Sequence, residues 1–176
     1  MLEDCLNSNL SENSYAFCKG RGISDAVNCA VSFIDKECEY ILNIDLENYF
    51  DSINHDILLR KLNDIIDEPH LLKLIESFFK CSIKRDNTIY TKHKGLVQGS
   101  PLSPILSNFF LCQADRFLED KNIKFIRFAD DIKILGKDYE CCLNYKNVFV
   151  DFLEKENICG NQQKLKFTNY SIVQES

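Results

Sequence analysis

The residues best suited to chemistry are acids placed at the ends of apolar runs. Asp130 and Asp131 follow Phe128 and Ala129, between the runs Ile123–Phe128 and Ile132–Leu135. Runs of that length, bounded by turn formers, read as strands, so the pair sits in a tight hairpin turn. Two adjacent carboxylates repel, which is costly unless a cation compensates. A bare Asp-Asp turn is more often simply solvated. Two upstream stretches add weight to the metal reading. Asp45 stands at the end of the apolar run Tyr40–Ile44, and Gln98-Gly99-Ser100-Pro101-Leu102-Ser103-Pro104 lies between the two acidic sites. Carboxylates are the hard oxygen donors that Mg²⁺ takes. Glycine lets a backbone approach a ligand closely, and glutamine can hydrogen-bond a sugar or base edge. The Ser and Pro residues after Gly99 suit a helix N-terminus, which also favours phosphate.

The elements that must position these residues follow from periodicity. Residues 1–14 are polar and read as a poorly ordered or partly helical lead. Tyr15 to Gly22 is a glycine-punctuated loop. Ala26, Val27, Ala30, Val31 and Ile34 mark an amphipathic helix, capped by Ser24 or a neighbour. Tyr40–Ile44 reads as a buried strand ending at Asp45. Asn54 opens a helix with Ile57, Leu58, Leu62, Ile65 and Ile66 inward, and Pro69 restarts one through Phe79. Residues 81–94 form a basic hairpin candidate around Asp86-Asn87, either solvated or phosphate-facing. One helix spans Leu102 to Asp120, another Tyr139 to Glu156, and Lys164–Phe167 alternates as a strand. The sum is α+β: a small antiparallel sheet with helices on one face, its other face carrying Asp45 and Asp130 open to a substrate.

Composition sets bounds. The 176 residues are 45% hydrophobic, enough for one domain with a sizeable core. No apolar run approaches the ~20 residues of a membrane span, and the N-terminus lacks a signal pattern, so no membrane partner and a reducing cytoplasm are expected. The nine cysteines form no Cys-x-x-Cys pair and read as free thiols. The net charge of −6 and pI near 5.1 argue against a freestanding nucleic-acid binder, since phosphate contact needs Lys and Arg.

Taken in order, the three motifs resemble the palm domain of reverse transcriptases, most closely group II intron-like and related bacterial ones. Asp45 to Phe50 is similar to the family's first acidic motif, Gly95 to Pro104 to its Gln-Gly-Ser-Pro-Leu-Ser-Pro loop, and Phe128 to Asp131 to its aromatic-Ala-Asp-Asp box. Gln98 stands 53 residues after Asp45, and Asp130 stands 32 after Gln98. The resemblance runs from about Tyr15 to about Phe167. It departs from the family pattern at Val97, where proline is usual, and at Ala16, Cys18 and Lys19 in the loop before the first helix.

The resemblance implies a polymerase palm with a ferredoxin-like antiparallel sheet backed by helices, plus partial fingers. Residues 1–39 would be the lead and partial fingers. Residues 40–176 would be the palm, with a fingers-like helical insertion at about 54–94, and the thumb is expected to be absent. The implied activity is RNA-directed DNA polymerisation, with catalytic Asp45, Asp130 and Asp131 and two Mg²⁺ ions, for which Mn²⁺ can substitute. The implied metal ligands are Asp45, Asp130, Asp131 and the carbonyl of Leu46; Glu47 and Asp51 are alternatives from the sequence itself. Phe50 matches the aromatic gate against a 2′-hydroxyl, though beside Tyr49 it also reads as a core aromatic. Gln98, Gly99 and Lys164 would meet the nucleotide. Lys19, Arg21, Lys84, Arg85 and Lys92 would meet nucleic acid. The implied partners are an RNA template, a DNA or RNA primer, deoxynucleoside triphosphates and a second chain supplying fingers or thumb. Two other readings stay open: a non-catalytic or split palm remnant used for interaction, and a metal-dependent cyclase or nuclease on a similar sheet, against which the Gln98–Pro104 motif speaks.

Overall fold

The computed structural model describes residues 2–34, 38–46, 48–80, 82–85, 88–91, 94–158 and 164–168, the strands at 82–85, 88–91 and 164–168 by backbone alone. In chain order the elements are α1 (Leu2–Asn7), α2 (Ile23–Ile34), β1 (Tyr40–Asp45), α3 (Tyr49–Ser52), α4 (His55–Asn63) and α5 (Pro69–Phe79). There follow β2 (Ser82–Arg85), β3 (Thr88–Thr91), α6 (Leu102–Phe110), α7 (Cys112–Asp120), β4 (Lys124–Phe128), β5 (Asp131–Gly136), α8 (Tyr139–Lys155) and β6 (Lys164–Thr168). Strands β2 and β3 pair as the expected hairpin.

The main sheet is antiparallel throughout, in the order β4-β5-β1-β6. This is the strand order of a split β-α-β sheet. Alternation divides its residues between two faces. Leu42, Ile44, Ile132, Ile134 and Phe125 point to one side and are fully buried. Each stabilises the fold by about 1.5–3 kcal/mol. They pack with Leu106, Phe110, Leu118, Phe149 and Leu153 from α6, α7 and α8.

Four sequence expectations change. The second face of the sheet is not wholly open, because α2 covers one end of it: Tyr15, Ala26, Ile126 and Leu135 form a small separate core there. Helix α2 turns Ala26, Ala30 and Ile34 to the sheet, while Val27 and Val31 stay exposed. The lead is an ordered part of the fold. Leu6 is fully buried, and residues 13–15 add an edge to β4 through Tyr15 N–H to the Arg127 carbonyl (3.0 Å) and Arg127 N–H to the Asn13 carbonyl (2.8 Å). The helix expected over 102–120 is two helices, broken at Leu111. In the last turn of α6 the Asn108 carbonyl accepts from the Arg127 guanidinium (3.4 Å), and a side chain inserted at a helix ladder breaks it.

Candidate active site

The uncovered end of the second sheet face is acidic. Antiparallel pairing sets Asp45, the last residue of β1, opposite Asp131, the first of β5. Both are exposed. Directly opposed residues have Cβ atoms about 4.5–5.5 Å apart, and like charges so placed destabilise the pair. Asp130 is the second residue of the two-residue loop joining β4 to β5, since Phe128 pairs with Asp131. Ala129 before it holds φ +58°, the left-handed region that a side chain with Cβ rarely takes. The Asp130 carboxyl is held above its ordinary pKa by partial burial and by the neighbouring charges of Asp45 and Asp131, against the pull of its own backbone N–H. Lys133, two residues along the same face, meets Asp131 at 3.0 Å and donates to Asn43 Oδ1 at 2.9 Å.

This donor set fits a hard divalent cation. Three carboxylates share one end of the sheet, and Asp130 resists ionisation through partial burial and, to a smaller extent, through the negative charges of Asp45 and Asp131, a cost that a cation would offset. Among the described residues no three His, Cys, Asp or Glu side chains are drawn into a ready-made cage. Mg²⁺ commonly takes one or two carboxylates and completes its shell with water and phosphate. Leu46 is buried, and its carbonyl accepts the Tyr49 N–H at 3.2 Å, leaving one lone pair. Asp51 lies exposed in α3, and Glu47 lies outside the described residues.

The loop before α6 docks on α3, the helix that follows β1 in the chain. Gly95 holds φ +83°, and a Cβ there would come within 2.8 Å of the Asp51 backbone, so only glycine lets the loop dock this closely on α3. The docking is fastened by Gly95 N–H to the Ile53 carbonyl (2.7 Å), Leu96 N–H to the Phe50 carbonyl (2.8 Å) and His55 Nε2 to the Gly95 carbonyl (2.7 Å). Phe50 lines one open cleft of about 550 Å³ together with Gln98, Gly99, Ser100, Pro101, Ser103 and Pro104. Tyr49 is buried and donates its hydroxyl to the Ser107 carbonyl at 2.6 Å, and Phe50 packs edge-on against it at the border of the core, so both readings of Phe50 stand. Phe50 is half-buried at the cleft. Gln98 and Gly99 are exposed, and at Gly99 (φ +84°) a Cβ would meet nothing within 4 Å. Conformation rather than crowding therefore calls for glycine at Gly99.

The basic candidates are scattered. Lys164 stands opposite Asp45 in the β1–β6 pairing, so its register position is at the acidic end. Lys84 and Arg85 lie in β2, and Lys92 is outside the described residues. Lys19 is exposed near Asp4 at 3.8 Å. The Arg21 guanidinium is engaged with the backbone carbonyls of Ser11 (2.5 Å) and Ser14 (3.0 Å), which ties its loop to the lead. The sequence reading passed over a buried network directly beneath the acids, formed by Arg127, Asp115 and Asn108. A signal for it existed, because alternation in β4 puts Arg127 on the same face as Phe125.

Comparison with known proteins gives a consistent picture. The family model for reverse transcriptase (RNA-dependent DNA polymerase) matches residues 1–174. A putative COX1/OXI3 intron 2 protein of Saccharomyces cerevisiae is 30% identical over 122 residues, covering 69% of this chain and 14% of that protein. The group II intron-encoded protein LtrA of Lactococcus lactis is 31% identical over 83 residues, covering 47% of this chain and 14% of that protein. The chain thus spans about one-seventh of the length of these relatives. A solved structure of telomerase from Candida tropicalis, in complex with a fragment of telomeric RNA, superposes with TM-score 0.71 at 14% identity. It covers 94% of this chain and 32% of that one, a likeness of fold. Among the described residues no helix is long and apolar enough to cross a membrane.

Proposed function

The chain belongs to the reverse transcriptase (RNA-dependent DNA polymerase) family, and we propose that it forms the catalytic palm of an RNA-directed DNA polymerase. The observation that carries this is the meeting of Asp45, Asp130 and Asp131 at the uncovered sheet end. On this reading residues 40–176 are the palm, residues 1–39 the lead and part of the fingers, and about 54–94 a helical insertion.

Asp45 and Asp130 would hold Mg²⁺, with Asp131 as an outer partner and the Leu46 carbonyl completing the set; Mn²⁺ shares the preference for oxygen ligands. Bound there as two ions, the metal would activate the primer hydroxyl and stabilise the leaving pyrophosphate. Phe50 packs under the sugar and excludes a 2′-hydroxyl. Gln98 bonds the sugar or base edge, and Gly99 lets the backbone approach the nucleotide. Lys164, opposite Asp45, neutralises or protonates the departing pyrophosphate. Lys19, Arg21, Lys84, Arg85 and Lys92 contact the phosphates of an RNA template and a DNA or RNA primer. All seven described cysteines are free thiols, which supports a reducing cytoplasm as the compartment.

The test is primer extension on an RNA template with Mg²⁺ and deoxynucleotides, run beside Asp130→Ala. Extension by the wild type that disappears in the variant is the expected result. A folded wild-type chain that extends nothing would overturn autonomous polymerisation and favour a second chain that supplies fingers or thumb.

A further inference from the structure

Directly beneath the acidic turn lies a guanidinium fully removed from water. Arg127 is 0% exposed, and its five N–H groups all have partners. Nε donates to Asp115 Oδ1 at 2.7 Å and Nη2 to Asp115 Oδ2 at 2.5 Å, a bidentate fork. Nη2 also reaches the Asn108 carbonyl at 3.4 Å. Nη1 reaches Asn108 Oδ1 and, at 3.0 Å, the carbonyl of Ala129. Asn108 passes the connection on: its amide donates to the Ala16 carbonyl at 2.9 Å, and its Oδ1 accepts from Ser14 at 3.3 Å.

We propose that Arg127, with Asp115 and Asn108, is a positioning residue that holds the Ala129 carbonyl, and through it the direction in which Asp130 presents its carboxylate to a divalent cation. The inference rests on the metal site proposed above.

Two considerations carry it. First, a buried ion pair is a poor device for stability alone, since apolar residues of similar volume commonly serve as well or better. What an apolar pair cannot supply is a donor aimed at one carbonyl. Second, that carbonyl belongs to the residue in the left-handed region, immediately before Asp130. A non-glycine residue persists there only when its surroundings over-determine it. The fork to Asp115 fixes the guanidinium on α7, Asn108 fixes it on α6, and the remaining arm is delivered to the turn. Helix α6 begins at the Gln98–Pro104 loop and ends at this guanidinium. The same network therefore joins the turn that carries Asp130 to the far end of the helix that starts at the Gln98–Pro104 loop.

The experiment titrates Mn²⁺ into the full chain and follows free Mn²⁺ by electron paramagnetic resonance, with no substrate present. Asp130→Asn is expected to weaken binding; if it does not, the metal reading itself falls, and the strut's purpose with it. Given that site, two variants remove the arm to Ala129. Arg127→Lys keeps the charge opposite Asp115, and Arg127→Met/Asp115→Leu replaces the pair by apolar side chains. Each is expected to weaken Mn²⁺ binding by about tenfold or more, the size typical of partners that orient ligands, while circular dichroism and cooperative urea unfolding show a native fold. Adding Ala129→Gly, which makes positive φ inexpensive, is expected to restore most of the lost affinity. Wild-type affinity in a folded Arg127 variant, or no recovery with glycine, would overturn the proposal. Where the double variant does not unfold cooperatively, Arg127→Lys with and without Ala129→Gly decides the matter alone.

Discussion

Two groups of charges lie at the β4–β5 hairpin and are built on opposite logic. Below the turn, Arg127 and Asp115 are opposite in sign, 0% and 1% exposed, and locked to each other by a fork. At the turn, Asp45, Asp130 and Asp131 are alike in sign, exposed or partly so, and offset by Lys133 across a half-exposed contact. The lower group is satisfied to its last N–H. Among the described side chains, the upper group sets three carboxylates against the single ammonium of Lys133. A fold can afford the second only because it completes the first: the buried pair fixes the backbone on which mutually repelling acids are displayed. The satisfied group builds structure, and the like-charged group is the part of the hairpin to which the proposed cation site belongs.

The largest effect comes from breaking the lower group. Asp115→Ala leaves the guanidinium buried without its counter-ion, which costs about 3–5 kcal/mol. A fall of that size in the free energy of urea unfolding is the expected result. Replacing both partners, as Arg127→Met/Asp115→Leu, is expected to come out near neutral or stabilising. If the single substitution is as mild as the double, the pair is not dry and the contrast between the two groups fails.

Breaking the upper group acts more weakly and in the opposite direction. The Asp130 pKa is raised in the fold from its ordinary 3.8 by burial and by its acidic neighbours. The folded chain therefore binds this proton more tightly than the unfolded one. Its stabilising contribution is fully present below about pH 3.8 and is lost as the pH rises through the raised folded value. At pH 7, without divalent cation, the wild type carries the ionised carboxylate at a cost that Asp130→Asn escapes. The variant is expected to melt at a higher temperature at pH 7, with the advantage shrinking toward pH 4. An advantage that is flat with pH would mean that the amide gains a contact of its own rather than relieving repulsion.

Much of this site was legible in the sequence because it depends on local pattern. A strand ending in Asp45, an Asp-Asp turn between two apolar runs and a Gly-Ser-Pro helix start are each declared by neighbouring residues. The brace was harder to read. Arg127, Asp115 and Asn108 come from one strand and two helices and are brought together by tertiary packing, and although alternation puts Arg127 on the buried face with Phe125, nothing local names its partners. The α2 cover failed for a related reason. Its apolar stripe is wide enough to permit two rotations, and only contact with Ile126 and Leu135 selects the one that turns Ala26 and Ala30 inward. The register that sets Asp131, rather than Asp130, opposite Asp45 was likewise not available before the pairing of β1 with β5 was known.

The smallest effect belongs to Lys133, and it separates the two groups most cleanly. Its ion pair with Asp131 joins side chains 42% and 51% exposed. Such a contact contributes about 0–1 kcal/mol. Lys133→Met is expected to lower stability by no more than that at low ionic strength. The loss should vanish in 1 M salt, where the screening length falls to about 3 Å. The cost of Asp115→Ala should not change with salt, because ions do not reach a pair sealed between β4, α6 and α7. Melting the two variants side by side at both salt concentrations therefore tests one assertion directly. One end of this hairpin is governed by solvent and the other by the packed interior. Equal salt dependence in both variants would mean that water reaches the guanidinium, and the brace would then no longer be the rigid member of the pair.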